Sequence, residues 1–419
     1  MTAHDPSSAA RWPRVAVVGG SIGGLTAALV LRDLGCDVVV HERSPSAPEG
    51  RGVGIVLHDM TVRYLAEDDG PTEDGDPTEH GAPRGRLDLE AVSTSARYLR
   101  YLDRDGHVVY EGERNYHFTA YGTLYRALLA RLDPDRYHLG HEVVEFAQQG
   151  EEVTYRLADG SVGTCDLLVC ADGVSSPSRR RLHPDVRPRY AGYVGWRGVL
   201  EERALSRATT EALHDAITYA VAPHSHILVY PIPHYNGSRE PGRRLVNVVW
   251  YRNVRTGQEL DNLLTDTRGQ RRESSVPPGL VRGEAVDELR TAAAREFPRP
   301  IAEVVAKAEE PFIQVIVDIA VPRMAVGRVC LIGDAAFAVR PHAAAATAKA
   351  AADGWALAES LEKSDGDVPT ALGAWEPRQR ALGHRLLERT REMGDRSQVA
   401  GTWEAGHASL DFGLDGPGR

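Results

Sequence analysis

Three short, mainly apolar runs lie far apart in the chain, and each ends in a turn that contains glycine. They are residues 15–18, 166–170 and 328–332, followed by Gly19, by Asp172 and Gly173, and by Gly333 and Asp334. Apolar runs of this length, bounded by turn residues, are typical of strands buried on both faces of a parallel sheet. We therefore predict a sheet that is built from three separated segments.

The first run opens a unit with the pattern of a dinucleotide site. Residues 19–24 are Gly-Gly-Ser-Ile-Gly-Gly, an apolar helix ended by Gly35 follows, and a second strand at 38–40 leads to Glu42. This arrangement brings free backbone N–H groups and a helix N-terminus together, as binding of a pyrophosphate requires. Glu42 can accept hydrogen bonds from a ribose diol. Ser21 replaces the middle glycine and can donate its hydroxyl to a phosphate oxygen. The alternative is an ordinary glycine-rich turn.

From about residue 186 the pattern changes to alternating, β-branched and aromatic residues, which predict an inserted antiparallel sheet. The predicted strands lie at 190–200, 217–221, 227–232 and 245–250, with a strand pair around Asp105-Gly106 and two strands within 138–162. Predicted helices lie near 124–132, 285–297 and 301–308, after Pro341, and as a pair around Pro377. We expect a solvated loop at 66–86 and a frayed tail at 416–419.

These elements predict an α/β fold with a Rossmann-like dinucleotide-binding domain assembled from separated segments, an inserted antiparallel β-sheet substrate domain and C-terminal helices. The first part of the binding domain is predicted at 12–185, with strands around 90–115 contributed to the substrate domain. The remaining boundaries are 186–285 for the substrate domain, 286–365 for the second part of the binding domain, and 366–419 for the C-terminal helices and tail.

Composition narrows the class of partner. The 419 residues are 42% hydrophobic, and a net charge of −10 argues against nucleic acid or an anionic membrane as the main partner. The four cysteines lie in or beside apolar runs without metal-ligand spacing, so we expect buried thiols and no metal. The chain has neither a secretory signal pattern nor an apolar run of membrane-spanning length, so we expect a soluble cytoplasmic protein.

Asp334 is a candidate for ligand binding, because a carboxylate at the end of an apolar strand is costly unless its oxygens are hydrogen-bonded. A polyol such as the ribityl chain of a flavin would supply those bonds. Alternatively, Asp334 caps its own helix. The helix after Pro341 would direct its positive end toward a bound anionic group, such as a reduced isoalloxazine ring.

Three motifs occur in order and together resemble the single-component, FAD-dependent aromatic hydroxylases, the salicylate and p-hydroxybenzoate hydroxylase group. They are the glycine motif with Glu42-Arg43, the segment from Cys170 to Arg179, and Gly333-Asp334 with Pro341. Residues 340–345, 347–353 and 275–279 are similar to the dihydroxypyridine-hydroxylase branch of that family. The resemblance covers roughly residues 14–390.

The resemblance implies an FAD-dependent monooxygenase. NADH or NADPH reduces the flavin, and dioxygen forms a hydroperoxide at flavin C4a that hydroxylates a small, electron-rich, hydroxypyridine-like or phenol-like ring. Only one glycine motif is present, so the nicotinamide binds transiently without a Rossmann domain of its own. Two alternatives are the same scaffold catalysing epoxidation, Baeyer–Villiger insertion or dehydrogenation in natural-product biosynthesis, and a non-catalytic FAD-binding protein. The sequence also leaves open whether the protein forms a homodimer.

The resemblance also implies a cofactor site. Its predicted residues are Gly19, Ser21, Ile22, Gly24, Glu42, Arg43, Gly54, Tyr121, Val143, Asp172, Gly333, Asp334, Pro341, Ala344 and Ala346. Tyr121 stands where many members have an arginine, as expected in the dihydroxypyridine-hydroxylase branch. Ala344 and Ala346 stand where the family usually has glycines, and their methyl groups narrow the room beside the flavin ring. Arg179 matches the second motif. If the family resemblance is set aside, the alternative is an ordinary surface arginine.

The predicted catalytic residues are His342, Tyr230 and His226, with Trp250 and, more weakly, His58 as further candidates for the substrate pocket. Alternation along residues 225–230 puts His226 and Tyr230 on one face of a strand. A histidine or tyrosine on that face could orient or deprotonate a ring hydroxyl. The alternative is that each of them is an ordinary structural residue of the sheet.

The variant Asp334→Ala should be purified largely without flavin, because the ribityl hydroxyls would lose their carboxylate acceptor. The flavin absorbance of the purified variant measures this loss. Retention of full yellow holoprotein by the variant would count against the ribityl role of Asp334.

Overall fold

Strands and helices alternate at the start of the chain, and strands dominate its middle. The computed structural model describes residues 12–47, 54–66 and 89–419. The first elements are β1 (Arg14–Val18), α1 (Ile22–Asp33), β2 (Asp37–Glu42), β3 (Gly54–Leu57), α2 (Asp59–Ala66), α3 (Leu89–Val92), β4 (Thr94–Leu102), β5 (Val108–Ala120), α4 (Tyr121–Leu129), β6 (Tyr137–Leu139), β7 (Val143–Gln149), β8 (Glu152–Leu157), β9 (Val162–Cys165), β10 (Leu167–Cys170) and α5 (Pro177–Leu182). They are followed by β11 (Arg189–Glu201), α6 (Arg207–Ala212), β12 (Ala216–Ala222), β13 (Ser225–Ile232), β14 (Leu245–Asn253), α7 (Gln258–Leu263), β15 (Ser275–Val276), α8 (Gly283–Glu296), α9 (Arg299–Lys307), β16 (Glu309–Asp318), β17 (Ala325–Val326), β18 (Val329–Leu331), α10 (Ala346–Lys363) and α11 (Val368–Asp395).

The three separated apolar runs lie side by side in one sheet. Within the described residues its strand order is β17-β18-β10-β1-β2-β6, and all of these strands except β17 run parallel. Val17 pairs with Val169, which pairs with Cys330, and all three are buried. The predicted parallel sheet of separated segments is confirmed. Because parallel strands end at one edge, the polar turns that follow β1, β10 and β18 meet there.

Two helices fix the positions of these strand ends by packing backbone against backbone. A Cβ added to Gly354 of α10 would lie 3.0 Å from the Cα of Ala27 in α1. Nearer the sheet edge, Ala350 of α10 lies between Gly23 and Gly333, where an added Cβ would lie 2.9 and 3.1 Å from its methyl group. Small residues therefore allow the turns after β1 and β18 to contact the same helix.

A second, antiparallel sheet dominates the middle of the chain. Among the described residues it has nine strands in the order β15-β16-β11-β14-β13-β12-β4-β5-β3, with one parallel pair, β12 and β4. Strands β3, β4 and β5 come from the first part of the chain. One face packs on α8 and α9 around Trp250 and Phe297, and the other face carries Tyr230 and Tyr251 toward the C-terminal residues.

Helix α11 runs without interruption through Pro377, so the predicted helix pair is wrong. Proline at 377 cannot donate to the carbonyl of Gly373, but Gly373 is exposed, and water can bond that carbonyl instead. Leu372, Trp375 and Leu386 stay buried along one face of α11. This continuous apolar face outweighs the loss of one backbone hydrogen bond.

The two strands predicted within 138–162 are present as β7 and β8, which pair across a polar turn, and the pattern missed only the short strand β6, which pairs with β2. One further prediction about local structure is wrong. The tail is not frayed: Gly418 N–H donates to the Phe412 carbonyl at 2.7 Å, and Asp415 N–H donates to the Arg419 carbonyl at 3.1 Å. Glycines at 413, 416 and 418 allow the tight turn that makes these bonds.

The four cysteines are free and buried, as predicted. From residue 67 onward, the predicted loop at 66–86 lies outside the described residues. In the ranges that the structure covers, none of the helices has the length and apolar character needed to cross a membrane.

The variant Gly354→Val should lower the free energy of unfolding by about 1–3 kcal/mol, because the side chain must push α10 away from α1. Urea unfolding measures this change. Gly373→Val is the matched control: no atom lies within 4 Å of a Cβ at that exposed helical position, so its effect should stay below about 0.5 kcal/mol. Equal destabilisation by the two variants would contradict the close contact between α1 and α10.

Candidate cofactor and substrate site

The turn after β1 requires glycine. Gly19 has φ +100°, and a Cβ on it would lie 2.5 Å from the carbonyl oxygen of Ala171. A Cβ on Gly24 would lie 1.9 Å from the carbonyl oxygen of Gly19. Ile22 is buried in the first turn of α1. The turn therefore holds the N-terminus of α1 beside the end of β10, where its free N–H groups can bind an anion.

Ser21 and Glu42 stand beside this N-terminus. Ser21 precedes α1 without capping it through its side chain, and its exposed hydroxyl hydrogen-bonds the Tyr121 hydroxyl at 2.8 Å. The Glu42 carboxylate accepts the N–H groups of Gly20 and Ser44, each at 2.8 Å. These bonds fix the carboxylate in place and leave acceptor sites on both oxygens for the hydroxyls of a ribose.

A cleft of about 330 Å³ runs along these strand ends. Its lining includes seven of the predicted cofactor residues: Gly19, Ser21, Glu42, Arg43, Tyr121, Val143 and Asp172. Tyr125, Tyr137, His41 and His141 line it as well and were missed by the sequence analysis. The cleft is thus lined by strands β1, β2 and β6 of the parallel sheet, by the turn after β10, by α4 and by β7 of the small β7-β8-β9 sheet.

Three histidines, His41, His138 and His141, stack beside this cleft with ring centroids 4.9 to 5.7 Å apart. Burial and the two neighbouring histidines lower the pKa of His41 to about 4. Its Nε2 hydrogen-bonds the Tyr155 hydroxyl at 3.0 Å, and its Nδ1 has no partner among the described residues. His41 and His141 thus add an aromatic surface to the lining of the cleft. Only the His138-x-x-His141 spacing could have indicated it in the sequence.

The turn after β10 is tied to the turn after β18. Asp172 accepts a hydroxyl and an N–H from the residues that follow it, at 2.5 and 3.0 Å. Arg179 is fully buried, which contradicts the alternative of a surface arginine. It donates to the carbonyls of Val174 at 2.5 Å and of Ala335 at 3.2 Å. Because Ala335 directly follows Asp334, Arg179 fixes the position of that carboxylate.

Asp334 lies within the 3-10 turn Gly333–Ala335 and caps no helix, since α10 begins only at Ala346. Arg179 reaches only its backbone carbonyl, and no described group donates to its carboxylate. Burial raises the pKa of Asp334 to about 6, while the charges of Lys349 and Arg179 oppose the increase. The carboxylate therefore lacks hydrogen-bond donors that a ligand could supply.

Lys349 does not neutralise Asp334 directly, because it is paired with another carboxylate. Its ammonium group lies 2.6 Å from Asp353, both side chains are buried, and Asp353 also accepts the N–H of Gly333 at 2.8 Å. Through the bond to the Gly333 N–H, the Lys349–Asp353 pair thus holds the Gly333-Asp334 turn in place.

A second cavity of about 150 Å³ lies between the nine-stranded sheet and the segment that starts at Pro341. All three predicted catalytic residues line it: His226 and Tyr230 from β13, and His342 from the loop before α10. The predicted cofactor residues Gly54, Pro341, Ala344 and Ala346 line the same cavity. Residues from separate segments therefore form one pocket.

The two histidines of this cavity are buried, uncharged and differently bonded. Burial lowers the pKa of His226 to about 3, and burial together with His226 and Arg340 lowers that of His342 well below its usual value. His226 Nδ1 hydrogen-bonds Ser397 at 2.6 Å, and His342 Nε2 hydrogen-bonds the Tyr193 hydroxyl at 2.7 Å. Among the described residues His342 Nδ1 has no hydrogen-bond partner, and this atom is fully buried.

Arg197 of β11 belongs to the cavity and was missed by the sequence analysis. Its guanidinium donates to the side-chain oxygen of Gln314 at 2.9 Å and forms no ion pair within the described ranges. Burial raises the pKa of Tyr230 and of Tyr251, and the charge of Arg197 opposes both increases. The signal in the sequence was a charged residue in the otherwise apolar run 193–200.

Trp250 does not line the cavity, contrary to the prediction. It pairs with Ile227 in the β13–β14 register and so faces the other side of the sheet, where its ring lies 4.9 Å from that of Phe297. His58 does lie near the cavity, and its Nε2 is 3.1 Å from the Ala344 carbonyl oxygen. Ala344 has φ +54°, in the left-handed region that favours glycine.

These residues fit a flavin dinucleotide. The glycine turn leaves no space for a side chain and presents N–H groups, as a pyrophosphate requires. Among the described residues no group donates to the Asp334 carboxylate, and the ribityl hydroxyls could supply such donors. The second cavity combines apolar side chains with the guanidinium of Arg197, which forms no ion pair among the described residues, and this suits an aromatic ring that carries a polar group.

Comparisons with known proteins agree with this fit. A family described as FAD binding domain-like matches residues 190–318, and one described as flavin containing amine oxidoreductase matches residues 90–197. The chain is 38% identical to 2,6-dihydroxypyridine 3-monooxygenase of Paenarthrobacter nicotinovorans over 96% of each chain. It is 26% identical to a salicylate hydroxylase of Pseudomonas putida, over 91% of this chain and 85% of the other. The solved structure of 2,6-dihydroxypyridine-3-hydroxylase from Arthrobacter nicotinovorans has a TM-score of 0.86 and 38% identity, covering 96% of this chain and 97% of that one.

Proposed function

The chain belongs to the family of FAD-dependent aromatic hydroxylases, and we propose that it hydroxylates a hydroxypyridine-like or phenol-like ring in the cavity between the sheet and Pro341. The observation that carries the proposal is the convergence of His226, Tyr230 and His342 on that cavity. The 38% identity to 2,6-dihydroxypyridine 3-monooxygenase supports a hydroxypyridine as the substrate. NADH or NADPH and dioxygen are the co-substrates.

The first cleft would hold FAD. The N–H groups at the start of α1 and the Ser21 hydroxyl suit the pyrophosphate, and Glu42 suits the ribose hydroxyls. Asp334, which is not among the residues that line this cleft, suits the ribityl hydroxyls. When bound, FAD supplies the electron-transfer and oxygen-transfer chemistry that amino-acid side chains lack. The protein has a single glycine motif of this kind, so we expect the nicotinamide to bind only transiently.

In the substrate cavity Arg197 and His342 have different tasks. Neutral His342 lines the cavity, and its hydrogen bond to the Tyr193 hydroxyl holds the imidazole ring in place. Its lowered pKa makes it a weak base, so it is poorly suited to remove the hydroxyl proton alone. The positive charge of Arg197 favours the ionised, electron-rich form of that hydroxyl. Leu228 and Val249 complete the apolar wall that excludes water.

The proposed function predicts that a monocyclic hydroxypyridine or phenol accelerates NAD(P)H oxidation by FAD-loaded protein and gains one oxygen atom from dioxygen. A screen of such rings, with product mass measured after reaction under labelled dioxygen, tests both parts. An oxidised product without label would indicate dehydrogenation, and a labelled epoxide or lactone would indicate the other oxygen insertions. If no ring accelerates the oxidation, a non-catalytic FAD-binding protein is favoured.

The variant Arg197→Leu should lower kcat/KM for the hydroxylated ring by roughly 10- to 100-fold, because one charge-assisted hydrogen bond contributes about 1.5–3 kcal/mol. Arg252→Leu is the matched control, since Arg252 lies over Trp250 on the opposite face and pairs with Glu288 at the surface. Steady-state kinetics of both variants are compared with the wild type. Equal losses in the two variants would contradict a direct role for Arg197.

A further inference from the structure

The last residues of the chain form one wall of the substrate cavity. We define residues 401–419 as the C-terminal strap. Phe412 of the strap lines the cavity, and Trp403 stacks on His226 with ring centroids 4.3 Å apart. Both strap residues are buried in the same apolar cluster as Tyr230. The strap therefore belongs to the active-site region although it follows the last helix of the fold.

Hydrogen bonds hold the strap in place from three sides. Gly413 N–H donates to the carbonyl of Ala343 at 3.2 Å, in the loop that carries the predicted catalytic histidine. Arg389 of α11 donates to the carbonyls of Asp411 and, at 2.7 Å, of Gly413. Arg114 of β5 pairs with the Asp411 carboxylate at 3.1 Å. Phe412, which lies between the anchored residues Asp411 and Gly413, therefore has a fixed location.

The volume of the cavity indicates what it can hold. An engineered apolar cavity of about 150 Å³ binds benzene, and the substrate cavity has about the same volume, 150 Å³. Its other walls come from the nine-stranded sheet, including its edge strand β3, and from residues 341–347. Phe412 is the strap's contribution to the wall, and its ring packs on Tyr116 with centroids 4.9 Å apart. Shortening Phe412 would extend the cavity toward Tyr116.

We propose that Phe412 sets the upper size limit of the substrate. One six-membered ring fits the wild-type cavity, and a fused bicyclic ring fits only when this side chain is shortened. The proposal rests on the proposed function to the extent that it takes this cavity to be the substrate pocket. A wall anchored on both sides excludes a larger ring by steric clash, because it cannot move aside without breaking its hydrogen bonds.

The experiment compares equilibrium binding of 2-hydroxypyridine and 2-hydroxyquinoline to FAD-loaded wild type, Phe412→Ala and Phe412→Leu. Perturbation of the flavin absorbance reports binding without any need for turnover. Wild type should bind the single ring at least about tenfold more tightly. In Phe412→Ala this preference should fall at least about tenfold, and in Phe412→Leu by less. The leucine variant keeps an apolar contact with Tyr116 and so provides the test if the alanine variant fails to fold.

Phe297→Ala is the matched control, because it removes an equally buried phenylalanine from the opposite face of the sheet. It should lower stability without changing the ratio of the two affinities. An unchanged ratio in the Phe412 variants, equal binding of the two rings by wild type, or binding of neither ring would overturn the proposal. If the ratio changes as expected while no ring is hydroxylated, the size limit stands and the hydroxylase function fails.

Discussion

The structure depends on a close backbone contact at the ends of two parallel strands, β1 and β10. No side chain fits between the two backbones at this point. At that point the backbone of Gly19 lies directly against Ala171, and α1 starts immediately beyond. Any larger residue would push the N-terminus of α1 away from the end of β10 and separate the N–H groups from Glu42. The same requirement for small residues extends to Ala350, which contacts the turns after β1 and β18. Cofactor binding by this fold is therefore first a matter of backbone proximity.

Around this backbone frame the protein buries several charges, and each is held by specific partners. The pair Lys349–Asp353 is fully buried, and Arg179 is buried among carbonyl groups and forms no ion pair with any described carboxylate. Such groups contribute little net stability because their desolvation costs nearly as much as their interactions return. They do fix the position of Asp334, to whose carboxylate no described residue donates a hydrogen bond. We therefore infer that these buried charges serve to fix the position of Asp334 and not to stabilise the fold.

The sequence allowed the local elements of the site to be predicted better than their contacts. Val15–Val18 and the glycines after it carry their own signal, because a buried strand and a tight turn each impose residue types on a few neighbouring positions. The approach of His226 to His342 depends on how the sheet packs on a distant loop, and no local pattern encodes it. Trp250 was assigned to the wrong face because alternation defines two faces without showing which one meets the ligand. The predicted break at Pro377 is wrong because burial of the surrounding apolar face outweighs the local preference of proline against a helix interior.

The left-handed backbone of Ala344 has a consequence for dynamics. An L-residue in this conformation is less stable than glycine by about 1–2 kcal/mol, yet an alanine has fewer alternative conformations to visit than a glycine would have. The loop between β18 and α10 is therefore stiffer than a glycine-rich version, and its carbonyl group is further restrained by His58. A stiff loop of this kind is preorganised: it has its conformation before any ligand binds. We therefore expect little motion of this loop during turnover.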